Sequence, residues 1–148
     1  MPYNFNKKEN RPFVGILFEI NDCMYFAHLS SPKPKHLKIK ANMEILKLDS
    51  GKLGVINFNN TIPVTKNNII KIDLNGQYYT KSDKQYNYLL KDQLTWLNRH
   101  SDRIYGKSQK LYDKYINGTL YKSLFERCCN FPLLEEKCLE YNKDFVKV

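Results

Sequence analysis

The sequence predicts an α+β domain, strands first and helices after. Three observations carry that reading. Up to Gly76 the apolar runs are short, bounded by turn residues and rich in β-branched and aromatic side chains; beyond Gly76 the apolar period lengthens from two to about 3.6; and the two patterns do not alternate, which argues against repeated βαβ units. With 148 residues, 42% of them hydrophobic, the chain can bury one core. Residues 1–148 are therefore read as one domain, strand-rich over about 10–76 and helix-rich over about 80–143.

The strand region divides itself. Pro12 to Ile20 and Cys23 to Leu29 are apolar and aromatic runs joined by Asn21-Asp22, the composition of a hairpin. Ser30 to Lys40 carries two prolines that cannot donate to a ladder, so it reads as a loop leading into a helical or irregular stretch. Met43 to Leu48 and Leu53 to Phe58 flank Asp49-Ser50-Gly51-Lys52, a turn between antiparallel strands. Ile69 to Leu74 alternates, with Ile70, Ile72 and Leu74 on one face, and completes at least five expected strands before residue 76.

The helices follow. Tyr86, Leu89, Leu90, Gln93, Leu94 and Leu97 recur at helical spacing, with Ser82 or Asp83 as N-cap. Ile104, Leu111, Tyr112, Tyr115 and Ile116 mark a second helix ended by Gly118. Shorter helices are expected over Leu120 to Cys129 and over Leu133 to Tyr141, with Pro132 in the first turn of the latter.

Composition narrows the function. A net charge of +9, from 24 basic and 15 acidic residues, favours a polyanionic partner, nucleic acid or an anionic membrane surface. No stretch approaches the roughly 20 apolar residues that cross a bilayer, and MPYNFNKKENRP lacks the apolar core of a secretory signal, so a cytoplasmic protein with no membrane partner is expected. Cys23, Cys128, Cys129 and Cys138 show no metal-ligand spacing and are expected as buried reduced thiols; His28, His36 and His100 fit no zinc pattern. No metal and no cofactor is expected. The 11 tyrosines, many interleaved with lysine and asparagine, suit either base stacking or the edge of a core.

Chemistry concentrates in three places. Between Cys23 and Met43 no acidic residue occurs, while Lys33, Lys35, Lys38 and Lys40 stand with His28 and His36; prolines flank Lys33 and restrict its backbone, which favours a phosphate site over a merely solubilising face. At the turn, Ser50 and Lys52 offer a hydroxyl and an ammonium two residues apart, although turn chemistry alone accounts for Asp49 and Gly51. Asn57, Asn59 and Asn60 place amides near a strand end, where they either read base edges or fix the loop.

Arg11-Pro12-Phe13-Val14-Gly15, Tyr25-Phe26-Ala27-His28-Leu29-Ser30-Ser31-Pro32-Lys33-Pro34-Lys35-His36, Gly51-Lys52-Leu53-Gly54, Asn57-Phe58-Asn59-Asn60-Thr61-Ile62-Pro63-Val64 and the helical Leu90 to Leu97 occur in the order that resembles the ToxN/AbiQ toxins of type III toxin–antitoxin systems. The resemblance runs from about residue 10 to residue 116. It implies a metal-independent endoribonuclease with a twisted, barrel-like antiparallel sheet similar to the MazF/Kid and CcdB cores, decorated by helices. It also implies an inhibitory partner, a repeated small RNA folded into pseudoknots and held with the toxin in a closed ring, whose precursor the toxin itself cuts. Cellular and phage transcripts, cut at adenine-rich sites, are the implied substrates, and abortive infection the implied role. By position, the family's strand tyrosine corresponds to Tyr25, its basic loop to Ser31, Lys33 and Lys35, and its hydroxyl-x-lysine pair to Ser50 and Lys52. This chain has Asp49 where family members often carry a second hydroxyl residue.

Without a metal, RNA is cut by its own ribose 2′-hydroxyl, leaving a 2′,3′-cyclic phosphate and a 5′-hydroxyl. The residues expected to serve that reaction are Lys52 on the non-bridging oxygens, Ser50 on the phosphate or the 2′-hydroxyl, and Tyr25 with Lys33 or Lys35 in proton transfer, the base being left open. His36, Lys38, Asn57, Asn59, Arg99, Arg103, Lys107 and Lys110 join Ser31 and Lys35 as expected RNA contacts. The rival readings are a non-catalytic RNA-binding module and a gyrase-directed toxin on a CcdB-like core.

Overall fold

The computed structural model describes residues 14–40, 42–76 and 80–146. Strands β1 (Gly15–Ile20) and β2 (Cys23–Ser30) pair antiparallel in a hairpin whose register joins Ile20 to Cys23. The two-residue loop, Asn21 and Asp22, has φ of 49° and 65°, the left-handed pair that matches the twist of the flanking strands. Helix α1 (Pro34–Lys38) follows, then β3 (Ile45–Lys47), a 3-10 turn (Leu48–Gly51), β4 (Val55–Asn57), a second 3-10 turn (Phe58–Asn60) and β5 (Ile62–Pro63). Four helices complete the chain: α2 (Lys81–Arg99), α3 (Ser101–Ile116), α4 (Lys122–Arg127) and α5 (Phe131–Val146).

All five strands form one antiparallel sheet in the order β1-β2-β4-β3, with β5 also on β2. One edge of β2 is taken by β1; the other is shared, Tyr25 and Phe26 pairing with β5 and Leu29 and Ser30 with β4. The period-two alternation of β2 sends Tyr25, Ala27 and Leu29 inward, while His28 faces outward. Against that inner face pack Leu97 of α2, Ile104, Leu111 and Tyr112 of α3, Leu124 of α4 and Phe131 of α5. Phe131 sits among the rings of Tyr25, Tyr112 and Tyr115, and the Glu135 carboxylate accepts hydrogen bonds from the hydroxyls of both Tyr25 and Tyr112. Helix α5 thereby closes the core over β2.

Three expectations are corrected. Ile69 to Leu74 is not a strand: Ile70 is 94% exposed, and the segment runs as irregular chain along an apolar cleft shared with β1, α2 and α3. Its alternation is genuine, but no described strand pairs with it; the fifth strand is instead Ile62–Pro63, too short for its period to register in the sequence. The N-cap of α2 is Thr80, whose Oγ1 accepts the Asp83 amide at 3.0 Å, rather than Ser82 or Asp83. Among the described residues the thiols form no disulfide, and they are half-buried, not buried. Burial pushes Cys128 up to about 11, with help from the Glu44 charge and its neighbour Cys129, so it stays a protonated thiol. The first two residues expected in β1, Pro12 and Phe13, lie outside the described residues.

The second helix ends as its sequence requires. Gly118, at φ 69°, gives its amide to the Tyr115 carbonyl while Thr119 bonds Lys114, a Schellman cap. Pro132 stands at the second position of α5, where its missing amide costs nothing. Among the described residues no helix is long and apolar enough to cross a membrane.

Candidate active site

Two segments far apart in sequence meet beyond the end of β2. Ser30 is the last paired residue of that strand, opposite Val55, so Ser31 to Lys33 leave the sheet beside the start of β4. Lys33 is the N-cap of α1, extended at φ −135°, with Pro34 supplying the fixed φ of the first helical position. The cap is reciprocal: the His36 amide donates to the Lys33 carbonyl at 2.9 Å, and the Lys33 amide donates to His36 Nδ1 at 3.2 Å. Ser31, Lys33, Lys35 and Lys38 are exposed and His36 is buried.

Helix α1 rests on the turn that carries Ser50. A Cβ placed on Gly51 would lie 2.4 Å from the His36 carbonyl oxygen, so the two backbones touch there and only glycine fits. Lys47 Nζ adds a bond to the Leu37 carbonyl at 3.2 Å. At the far end of the turn a Cβ on Gly54 would meet the Ser30 carbonyl at 2.0 Å, locking the turn to the end of β2. Inside it the Lys52 amide bonds the Asp49 carbonyl at 3.0 Å, and buried Gln93 of α2 donates to the Leu53 carbonyl at 2.8 Å.

The turn is strained. Asp49 (φ 47°) and Ser50 (φ 56°) both occupy the left-handed region ahead of Gly51 at φ 94°. Two successive non-glycine residues there cost about 1 kcal/mol or more each, and such strain persists where the surroundings over-determine it. Here fully buried Leu48 and the contact with α1 do so, and the result is an outward presentation of Ser50 and Lys52 next to the lysines of the α1 loop. The charge of that loop acts on the nearby histidines: burial and then the charges of Lys35 and Lys33 lower the pKa of His36, and burial and then Lys33 lower that of His28 on β2.

Ser31, Lys33, Lys35, Lys38, Ser50 and Lys52 thus share one cationic, hydroxyl-bearing surface. Other expected site residues are elsewhere. Tyr25, expected in proton transfer, is 0% exposed on the inward side of β2; burial first and then its bond to Glu135 raise its pKa far above the ordinary tyrosine range, so it is a core residue. His36, expected on RNA, is buried and caps α1. Asn59, expected to read bases, is 5% exposed, and its carbonyl receives the Cys129 amide; Asn57 Oδ1 accepts the Asn59 amide at 3.3 Å. The Asn57 side chain and the Asn59 main chain fix the loop, while Asn59 Oδ1 meets no hydrogen-bond donor among the described residues. Arg99 at the end of α2 and Arg103, Lys107 and Lys110 along α3 make a second basic surface, in which Arg103 lies 6.0 Å from the Trp96 ring; burial first, then Arg103 and Lys110, lower the pKa of Lys107. Sequence reasoning missed the supporting role of Gln93, a lone amide in a leucine stripe, and that of Glu135, which no spacing links to Tyr25.

Comparison with known proteins bears on this surface. The family described as "Toxin ToxN, type III toxin-antitoxin system" matches residues 2–139. The chain belongs to the ToxN family. It is 35% identical over 147 residues to the endoribonuclease ToxN of Bacillus thuringiensis subsp. kurstaki, covering 97% of this chain and 75% of that protein. It is 31% identical to the endoribonuclease ToxN of Pectobacterium atrosepticum, over 90% of this chain and 77% of the relative. Among solved structures, one concerned with selective toxin inhibition by a non-coding RNA pseudoknot superposes with a TM-score of 0.67 at 34% identity, covering 95% of this chain and 85% of the other. A structure of the lactococcal anti-phage endoribonuclease AbiQ gives 0.65 at 26% identity, over 83% and 74%. This ToxN-family protein is an endoribonuclease by the same relationship, on a mixed fold of five antiparallel strands with packed helices.

Proposed function

We propose that this ToxN-family endoribonuclease, acting as a single catalytic domain in the bacterial cytoplasm, cuts adenine-rich RNA by attack of the ribose 2′-hydroxyl on the adjacent phosphorus. It leaves a 2′,3′-cyclic phosphate and a 5′-hydroxyl and needs no metal. The observation that carries the reading is the strained turn at Asp49 and Ser50, which holds a hydroxyl and the Lys52 ammonium outward against the lysine loop of α1. Lys52 neutralises the non-bridging oxygens of the phosphorane, Ser50 hydrogen-bonds the scissile phosphate or the 2′-hydroxyl, and Lys33 and Lys35 supply the surrounding field and a route for protons. Tyr25 takes no part in the proton transfer, because its hydroxyl is committed to Glu135.

The substrates are cellular and phage transcripts. The regulator is a repeated small RNA, folded as a pseudoknot and closed into a ring with the toxin, which lies across the surface of Lys33, Ser50 and Lys52 and grips the second basic surface of Arg99, Arg103, Lys107 and Lys110. Support comes from the relatives: one solved structure concerns inhibition by a non-coding RNA pseudoknot, another a processed non-coding RNA that regulates an antiviral system.

The test is cleavage of a long adenine-rich transcript in EDTA by the purified chain and by a Ser50→Ala/Lys52→Ala double variant. Loss of the principal phosphate contact is expected to slow cleavage about a hundredfold or more. Parental rates from a correctly folded double variant contradict the assignment.

A further inference from the structure

We propose that His36 is a positioning residue for RNA cleavage: its ring holds the Lys33 amide, its carbonyl seats the Ser50 turn at Gly51, and the neutral imidazole keeps the lysine loop and the Ser50 turn in register. The inference rests on reading that cationic surface as the place of cleavage.

The geometry is specific to this side chain. His36 is 3% exposed, although the helix that bears it is short and otherwise exposed or half-buried. Its Nδ1 accepts the Lys33 amide at 3.2 Å, so the ring in this arrangement carries no proton on that nitrogen. Its own amide returns a bond to the Lys33 carbonyl at 2.9 Å, fixing the backbone of Lys33 from both sides. One residue thus binds the lysine loop through its ring and the hydroxyl turn through its main chain, where a Cβ on Gly51 would come within 2.4 Å of the His36 carbonyl oxygen.

Protonation undoes the ring's part of this. An imidazolium carries a hydrogen on both nitrogens, which sets donor against donor at the Lys33 amide. It also adds a positive charge where Lys33 and Lys35 already stand on the same segment. The turn packed against α1 contributes the charged groups Lys47, Asp49 and Lys52, of which Lys47 is engaged with the Leu37 carbonyl. Burial and the two neighbouring lysines hold the imidazole below its ordinary pKa, which keeps it neutral at neutral pH. Cleavage is therefore full above the ordinary imidazole range and falls as acid reaches His36, through displacement of Lys33 and not through loss of a catalytic base.

The experiment compares the whole chain with His36→Ala, His36→Asn and Lys52→Ala variants, cutting a labelled adenine-rich RNA in EDTA between about pH 5 and pH 8. His36→Ala is expected to lower kcat about ten- to a hundredfold at neutral pH. His36→Asn offers an amide oxygen to the Lys33 amide and takes up no proton; it is expected to restore kcat to within about threefold and to lack the acidic fall seen in the parent. An unchanged acidic fall in His36→Asn, or a parental kcat in His36→Ala, overturns the inference, and the asparagine profile decides alone if the alanine variant does not fold. Parental cleavage by Lys52→Ala brings down the reading of the surface itself. A dead Lys52→Ala beside His36 variants that follow the parental profile removes only the positioning role.

Discussion

Tyr25 shows why residue type and position in a sequence do not fix a role. A tyrosine in the middle of an aromatic strand, eight residues before a lysine loop, invites a place in the chemistry, yet strand parity sends its hydroxyl into the core and to Glu135, 110 residues away. Tyr25→Phe is therefore expected to cleave RNA within a few-fold of the parent. Loss of a hydrogen bond to a carboxylate should cost stability by about 1.5–3 kcal/mol, read as a lower urea midpoint. The same network has a pH signature. In the unfolded chain both tyrosines ionise near their ordinary value of 10.0, whereas burial and Glu135 hold Tyr25 protonated far above that and push Tyr112 up to about 12. Stability is then fully present below the ordinary value of 10.0 and is lost as pH rises from there through about 12, and Tyr25→Phe should show a shallower loss in urea titrations. Ser50, Lys52 and the loop lysines were readable in the sequence because each sits beside turn or proline chemistry that keeps it outside. His36, Asn59 and Tyr25 were not, because burial is decided by what packs on a segment from elsewhere.

At the level of elements, the turn between β3 and β4 has a shape that its sequence half discloses. Asp49-Ser50-Gly51 announces a turn, but the left-handed backbone at two non-glycine residues follows from the contacts at Gly51 and Gly54. Asp49→Gly is expected to raise stability by about 1 kcal/mol, because it relieves one strained residue. Gly54→Ala should do the reverse and more: the added methyl meets the Ser30 carbonyl at 2.0 Å and pushes the turn off the end of β2, so both melting temperature and kcat should drop. Helix α2 offers a plainer case, since Thr80→Ala removes the side-chain oxygen that accepts the Asp83 amide and should cost about 1 kcal/mol. The helices were well anticipated because a 3.6 period over many residues is a strong signal. Strand Ile62–Pro63 and the unpaired Ile69 to Leu74 segment were not, since pairing depends on which edge of β2 is vacant.

The whole molecule is a cation with two separate concentrations of charge, one around α1 and the Ser50 turn and one along α2 and α3. If both engage RNA, affinity should fall steeply with salt, with a log–log slope of about −0.7 for each phosphate neutralised on a single strand. Replacing Arg103 and Lys107 with alanine should lower that slope by about one to two units while leaving kcat at saturating RNA unchanged. Filter binding across a salt series and single-turnover kinetics check the two halves of the prediction. The β1–β2 hairpin, the strands-then-helices order and the lysine loop were visible beforehand as local patterns; the way α5 reaches back across the fold to β2 was not, because its partners lie outside any window of the sequence.

That return of α5 bears on how such an enzyme comes into being. Phe131 and Glu135 complete the aromatic cluster around Tyr25, directly behind the strand that leads into the lysine loop, so a nascent chain that has not yet passed Glu135 still has an open interior. A chain cut short before Phe131 is therefore expected to melt at a lower temperature than the full chain, because nothing then backs Tyr25 from that side.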